Sequence, residues 1–328
     1  MKPLVLPLLC AAFWLGACQS DPKVRAKPTL EETRRVLSED NSPPPHAGTI
    51  PAAARPKGSG DGGDLLAKVA GQELRAQDVL AAWAFRDSES LRDLFDRLVL
   101  DRLVQAEATR LGVQLLPELL EADWRETLAY FDERVAEAQP GMARGAFIQT
   151  RLGLDPEAYL TSMRERRRID LTAARCVRAY SLENDAVLAR LIVAPDRQVA
   201  DRVEAGLAQG KSFEDLAREF SVDPSAELGG RIAPVIRSRA AMSRLAFATA
   251  VGEVGGPIQE GQRFLFLYAE ALRPGVGGRW KDLAEPVEAS LAEQPIEDLE
   301  FLQWQAMALA RYEVDTSGMN RILGAETP

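Results

Sequence analysis

The fold of this chain is decided between Leu188 and Pro274, where the sequence reads LIV at 191–193, GKSFEDLA at 210–217, SVD at 221–223, GG at 229–230 and GEVGGPI at 252–258. The LIV segment is typical of a short strand, which the following Pro195 ends. Ser212 and Asp215 stand three residues apart, a variant of the capping box that predicts the start of a helix. The stretch predicts one strand, two short helices and further strands at 231–235, around 257–258 and at 264–268.

The sequence before this stretch predicts mainly helices. Apolar residues recur at helical spacing over 77–85, 91–111 and 118–138, after a short strand and turn at 66–71. Asp155 followed by Pro156 is typical of a helix N-cap and first turn, and predicts a helix that runs to about Cys176.

The sequence after this stretch predicts a return to helix and one closing strand. Helices are expected at 282–292 and 296–310, and a strand at 312–314. A short strand at the end of a helical segment needs a pairing partner. We expect residues 67–69 to be that partner.

Four arginines form one dense basic cluster at 164 and 166–168. One interpretation is an anion-binding patch. The other is a helix face whose cations pair with nearby carboxylates such as Glu165 and Asp170, which is the usual behaviour of helix charge patterns.

The N-terminus has the pattern of a secretion signal, with Lys2 before an apolar core at 4–14 and small residues before Cys18. It resembles a bacterial lipoprotein signal, which implies a signal peptide at 1–17, lipid attachment at Cys18 and, because Gln19 follows, an outer membrane anchor facing the periplasm. The alternative is an ordinary signal peptide. Residues 18–63 are rich in proline and glycine and predict a disordered tether.

Composition excludes several classes of function. The net charge is −9, which argues against nucleic acid as a partner. The only histidine is His46, in a proline-rich segment, so we expect no metal site and no cofactor. Beyond the signal and the anchor, Cys176 is the one remaining cysteine and is expected to be a buried apolar residue.

In their order and spacing, the motifs at 188–274 resemble a parvulin domain, the small isomerase that rotates peptide bonds before proline. With the flanks, the chain is similar to SurA-like and PrsA-like foldase-chaperones of the cell envelope. The resemblance implies an α+β fold, with a mainly helical chaperone domain formed by 64–180 and 275–328 and a small parvulin domain at 187–274. In that family the C-terminal segment packs on the N-terminal helices.

The resemblance also implies a site with two histidines on neighbouring strands and a cysteine or aspartate after the second helix. These positions map onto Arg190, Leu265 (or Phe264) and Asp223. The apolar residues that hold the proline ring map onto Ser238, Met242 and Phe247. From the residues themselves, Asp223 could instead cap its own turn before Pro224, and Met242 and Phe247 could be ordinary core.

Three functions follow as hypotheses. The first is a membrane-anchored peptidyl-prolyl isomerase and foldase whose clients are unfolded or proline-containing polypeptides. The second is a chaperone or binding module with the same fold and a decayed isomerase site, because both family histidines are absent. The third is a structural lipoprotein with one dedicated partner.

Overall fold

The computed structural model describes residues 65–324, so the expected signal peptide, the tether and Cys18 lie outside the described residues. The described chain divides into two compact units, one made of residues 102–308 and the other of residues 65–101 and 309–324. Within residues 65–324, no helix combines the length and the apolar character needed to cross a bilayer.

The elements follow one another along the chain with these bounds: β1 Leu65–Val69, β2 Gln72–Arg75, α1 Ala76–Arg86, α2 Ser88–Leu111, α3 Pro117–Ala138, α4 Arg144–Phe147 with a π-helical turn at Ile148–Leu152, α5 Pro156–Glu183, β3 Ala186–Ala194, α6 Arg197–Ala208, α7 Phe213–Phe220, a 3-10 turn at Pro224–Leu228, β4 Val235–Ile236, α8 Ala241–Ala248, β5 Val254–Glu260, β6 Arg263–Arg273, α9 Trp280–Glu293, α10 Asp298–Arg311 and α11 Ser317–Ile322.

The α+β fold class is confirmed. A four-stranded antiparallel sheet in the order β4-β3-β6-β5 is surrounded by helices, and β3 and β6 form its long central pair. One face of this pair carries Ile192, Ala194 and Phe266, which pack against α6 and α7. Burial of this apolar layer is the main force that holds the two helices on the sheet.

The predicted helix starts are confirmed by their caps. The Asp155 side chain accepts a hydrogen bond from the Ala158 amide at 2.8 Å at the start of α5. The Ser212 hydroxyl accepts one from the Asp215 amide at 3.1 Å at the start of α7. Each cap satisfies an amide that has no partner inside its helix. The helix α5 continues seven residues beyond the predicted end at Cys176, to Glu183.

The expected closing strand at 312–314 is wrong. The structure has no strand at those residues, and β1 pairs with β2 instead, with Val69 opposite Gln72. The chain turns between them through Ala70 and Gly71, which have φ angles of 50° and 81°. Because this tight turn closes a hairpin locally, β1 finds its partner within a few residues and needs no distant strand.

The expected strand at 231–235 is also different in the structure. Residue 231 makes only an isolated bridge with Arg190, and the strand β4 covers Val235 and Ile236. Pro234 lies directly before it and has no amide to donate to a ladder, so regular pairing cannot run through that position.

The C-terminal helices of the larger unit pack on α5. Ala179 on α5 shares an apolar core with Trp280, Leu283 and Val287 on α9. A buried ion pair joins Arg178 on α5 to Glu300 on α10, with 2.8 Å between Nε and Oε1. Since α5 leads directly into β3, these contacts tie the C-terminal helices to the start of the sheet.

Candidate functional site

The two faces of the β3–β6 pair differ in what they carry. Leu191, Val193 and Leu265 share one face, opposite to that of Ile192, because successive side chains in a strand alternate. The half-buried side chains of Ile232, Met242 and Ile258 pack against them. We call these six residues the Leu265 cluster.

The central residues of the Leu265 cluster are buried but keep slight solvent exposure. Leu191, Val193 and Leu265 are 6–8% exposed, whereas Ile192 and Leu267 beside them are fully buried. In the ladder Leu265 stands opposite Val193 on one side and Ile258 on the other, which makes a continuous apolar row across three strands. A continuous apolar row of this kind matches the apolar lining typical of sites that bind small apolar groups.

Arg190 does not belong to this surface. It lies on the α7 face of the sheet, where its Nε atom is 2.6 Å from Glu270 and its Nη2 atom is 2.9 Å from Glu214. Its Nη1 atom also donates to the carbonyl of Gly229 at 3.1 Å. Arg190 and Leu265 therefore cannot form one site. On the Leu265 face, β3 carries Val193 directly opposite Leu265 and Leu191 diagonal to it. A matching pair of histidines would stand at 191 and 265.

A cavity of about 590 Å³ opens beside Arg190 on its face of the sheet. One side of the cavity is formed by β3, α7 and the loop after α7, and the other side by the end of α9 and the segment that follows it. The lining residues are Arg190, Glu214, Arg218, Leu228, Arg231, Glu293, Gln294 and Glu297. Burial, followed by the nearby Glu300 carboxylate, raises the pKa of Glu297 above its ordinary value. This cavity is charged, and it is separate from the apolar Leu265 cluster.

Asp223 is held at the end of β3 by hydrogen bonds. Its Oδ1 atom accepts from the Ser225 amide at 2.9 Å and from the Ser225 hydroxyl at 2.6 Å. The Ser221 hydroxyl in turn accepts from the amides of Val193 and Asp223 at 3.1 and 3.2 Å. The aspartate thus caps the 3-10 turn, as its sequence context before Pro224 allowed, and it stands next to the backbone of a residue in the Leu265 cluster.

The three predicted pocket residues have different surroundings. Met242 packs on the Leu265 cluster and also on the neighbouring core around Leu267. Phe247 packs only in that neighbouring core, and the Arg237 guanidinium lies 3.8 Å from the centre of its ring. Ser238 is exposed, and its hydroxyl accepts from the Ala240 amide at 3.3 Å in the turn before α8. Of the three, only Met242 faces Leu265.

Four members of the cluster were missed from the sequence. They are Leu191, Val193, Ile232 and Ile258. For the first two, the alternation of side chains along a strand was a usable signal, because residues 191 and 193 must share a face that excludes 190. No comparable signal exists for Ile232, which approaches through an irregular segment.

Gly230 brings the loop after α7 against β3. Its φ angle is +80°, and a Cβ atom there would lie 2.5 Å from the Leu191 carbonyl oxygen. Gly210 has a similar φ of +77° but open space around it. We expect Gly230→Ala to lower the free energy of unfolding by about 1–3 kcal/mol more than Gly210→Ala, because only the first adds a steric overlap to the strain of positive φ. Urea unfolding of both variants measures the difference, and equal losses would contradict the close approach.

The arginine cluster on α5 is confirmed as a paired helix face. Arg166 pairs with Asp170 at 2.6 Å, and Arg168 pairs with Glu165 at the same distance. Arg167 makes two hydrogen bonds to Asp123, and Arg164 pairs with Glu121. Because these arginines are already paired with carboxylates, they do not form an anion-binding patch.

Cys176 is fully buried, as expected, and burial raises the pKa of its thiol to about 12. The thiolate is the reactive form, so this thiol is inert at neutral pH.

Comparisons with known proteins place the similarity in the centre of the chain. Residues 194–270 match the family model described as Rotamase: PPIC-type PPIASE domain. Foldase protein PrsA of Bacillus subtilis (strain 168) is 30% identical over 110 residues, which are 33% of this chain and 36% of the relative. The match therefore spans about a third of that relative's length.

Two solved structures extend over more of the chain. The crystal structure of PrsA from Bacillus subtilis is 17% identical, covers 81% of this chain and 100% of its own, and has a TM-score of 0.28. A structure from Campylobacter jejuni, described as that of two related SurA-like chaperones, PEB4 and Cj1289, is 15% identical, covers 81% and 99%, and has a TM-score of 0.26.

Proposed function

We propose, from the premise that residues 194–270 form a PPIC-type rotamase domain of the parvulin family, that this chain is an envelope foldase that binds proline-containing segments of unfolded polypeptides. The observation that carries the proposal is the Leu265 cluster on the sheet of that domain. In this proposal residues 187–274 are the isomerase-type domain, and residues 64–180 together with 275–328 are the helical chaperone part.

The Leu265 cluster supports binding of the proline ring. A proline ring is apolar, and its transfer from water onto an apolar surface is favourable by about 25 cal/mol per Å² buried. Leu265, Met242 and Ile258 offer such a surface at the edge of the core.

The same surroundings support only weak catalysis. The uncatalysed barrier of about 18–20 kcal/mol arises from the partial double bond of the peptide, so a catalyst has to favour the twisted amide over the planar one. An apolar site disfavours the planar, more polar amide to some degree, but polar groups aimed at the rotating carbonyl contribute more. Positions 191 and 265 carry leucine, which leaves Asp223 as the polar group that we assign to the site.

Membrane anchoring is a further part of the proposal. Cys18 would carry the lipid, and residues 18–63 would hold the folded part away from the surface of the outer membrane, facing the periplasm. The small-residue pattern before Cys18 supports this assignment.

The test is a peptide isomerisation assay with the full chain after its signal. Uncatalysed exchange takes about 10–100 s at 25 °C, and we expect a measurable but modest acceleration that Met242→Asp abolishes, because a carboxylate in the cluster would have to lose its water before the apolar ring could bind there. Gln262→Asp, at an exposed turn of the same domain, is the control. No acceleration at high protein concentration would exclude the isomerase.

A second candidate is a holding chaperone without catalysis, favoured by the leucines at 191 and 265. It predicts that the protein delays aggregation of an unfolded client in the absence of any isomerisation. A protein that neither delays aggregation nor captures proline peptides would exclude both functions. A single stoichiometric partner in pull-down, with no general clients, would instead favour a dedicated binding lipoprotein.

A further inference from the structure

Two backbone groups on the outer edge at β4 are paired with a single side chain. β4 is an edge strand of the sheet, so its outward backbone groups have no strand to pair with. The carboxamide of Gln303 on α10 fills this place. Its Oε1 atom accepts from the Ile236 amide at 2.6 Å, and its Nε2 atom donates to the Pro234 carbonyl at 2.9 Å. One glutamine thus supplies the acceptor and the donor that a residue of an added strand would supply.

β4 is in turn bonded to the helix that carries Met242. The Ser243 hydroxyl donates to the Ile236 carbonyl at 2.9 Å and accepts from the Ser238 amide at 2.8 Å. Ser243 is buried and lies in the first turn of α8, next to Met242. A chain of direct contacts therefore runs from Gln303 through Ile236 and Ser243 to the Leu265 cluster.

α10 presents Gln303 from a fixed position. Glu300, one turn earlier on the same helix, is 4% exposed and forms the buried pair with Arg178. Arg178 also donates to the carbonyls of Gln294 and Pro295, each at 3.2 Å. The start of α10 is thus bound to α5, and the carboxamide is held where β4 needs it.

We propose that Gln303 is a positioning residue for proline binding: by holding β4, and through Ser243 the first turn of α8, it keeps Met242 in place on the Leu265 cluster. The proposal rests on the proposed function only in naming proline as the ligand. The proposal also gives helix α10 a role in ligand binding by the isomerase-type domain, although α10 lies beyond residue 274.

The energetic reason is the cost of unpaired backbone groups. If the carboxamide is removed, the amide of the buried Ile236 and the carbonyl of the half-buried Pro234 lose their partners. The unpaired backbone groups then turn toward solvent to bind water. As a result β4 and α8 shift from the positions in which Met242 packs on the Leu265 cluster. Loss of a hydrogen bond to a buried backbone group costs enough free energy to change a dissociation constant by about tenfold.

The main experiment compares Gln303→Leu with Gln262→Leu in the full chain after its signal. Gln262 is exposed in the turn between β5 and β6 and serves as the matched loss of an amide. For Gln303→Leu we expect faster hydrogen exchange of the Ile236 amide and a shifted NMR signal of the Met242 methyl group. We also expect the dissociation constant for a proline peptide to rise about tenfold. Gln262→Leu should change none of the three.

Gln303→Glu gives a second, pH-dependent test that does not depend on how Gln303→Leu folds. An ionised carboxylate still accepts from the Ile236 amide, but it cannot donate to the Pro234 carbonyl and repels it. Protonation at acid pH restores a donor. In this variant the Met242 signal and the peptide affinity should return toward the unsubstituted values as pH falls, a recovery with no counterpart in the unsubstituted protein.

The outcomes separate this proposal from the proposed function. If the unsubstituted protein binds no proline peptide, the proposed function fails, while the Met242 signal still reports whether Gln303 controls α8. If the Ile236 amide exchanges faster but the Met242 signal and the affinity stay unchanged, Gln303 only covers the edge and the positioning role is overturned. It is overturned equally if Gln303→Glu shows no recovery at acid pH.

Discussion

Arg178→Met is expected to lower the free energy of unfolding by about 3–5 kcal/mol. Arg178 and Glu300 are 5% and 4% exposed, and removal of the guanidinium leaves the carboxylate buried without its cation. The carbonyls of Gln294 and Pro295 lose a donor at the same time. Urea unfolding followed by circular dichroism measures the loss as a lower transition midpoint at an unchanged slope.

The matched control is Arg168→Met on the same helix. Arg168 pairs with Glu165, but the two side chains are 41% and 50% exposed, so the loss should be within about 1 kcal/mol. The double variant Arg178→Met with Glu300→Leu should recover much of the stability, since no charge is then left buried. Equal losses for Arg178→Met and Arg168→Met would show that the buried pair does not hold α10 on α5.

Leu191→His combined with Leu265→His is the substitution expected to change activity most. The two positions share a face of the sheet and are diagonal neighbours on β3 and β6, so both rings would meet the peptide held on the Leu265 cluster. Polar donors beside the rotating carbonyl stabilise the twisted amide. A preorganised donor is worth about 10²–10³ in rate, and for this unoptimised pair we expect about a tenfold gain. The peptide isomerisation assay measures it.

Arg190→His is the control that tests whether the effect depends on which face of the sheet carries the histidine. The side chain at 190 points toward α7, so a histidine there should not raise isomerisation. It should instead lower stability, because Glu270 and Glu214 lose their common partner. A gain from Arg190→His that equals the gain from the leucine pair would mean that residue 190 reaches the substrate and that the assignment of the faces is wrong.

The regular elements and their caps were predictable because their causes are local. Apolar spacing along 118–138 and the caps at Asp155 and Ser212 depend on residues within one or two turns. The structure confirms all three. The turn at Ala70 and Gly71 is equally local, and it decided the partner of β1 against the distant strand expected at 312–314.

The composition of the site was less predictable because it depends on the register between strands. A shift of one residue moves a side chain to the other face, which is why mapping by motif placed Arg190 with Leu265, although Leu191 and Val193 are the β3 residues that share its face. Ser238 shows the same limit. Its place in the motif indicated a pocket, but the chain turns there to begin α8 and leaves the side chain exposed.

The sequence by itself determined the α+β class, most helix boundaries, the burial of Cys176 and the rotamase-type stretch, since each depends on periodicity, composition or an ordered set of nearby motifs. Only the tertiary structure decided which side chains share the Leu265 cluster, that Arg178 meets Glu300, and that Gln303 covers the edge of β4. Those last two contacts join residues 122 and 67 positions apart. A polar side chain can satisfy any of many distant partners, so its choice becomes definite only when the packed core brings one of them within hydrogen-bond distance.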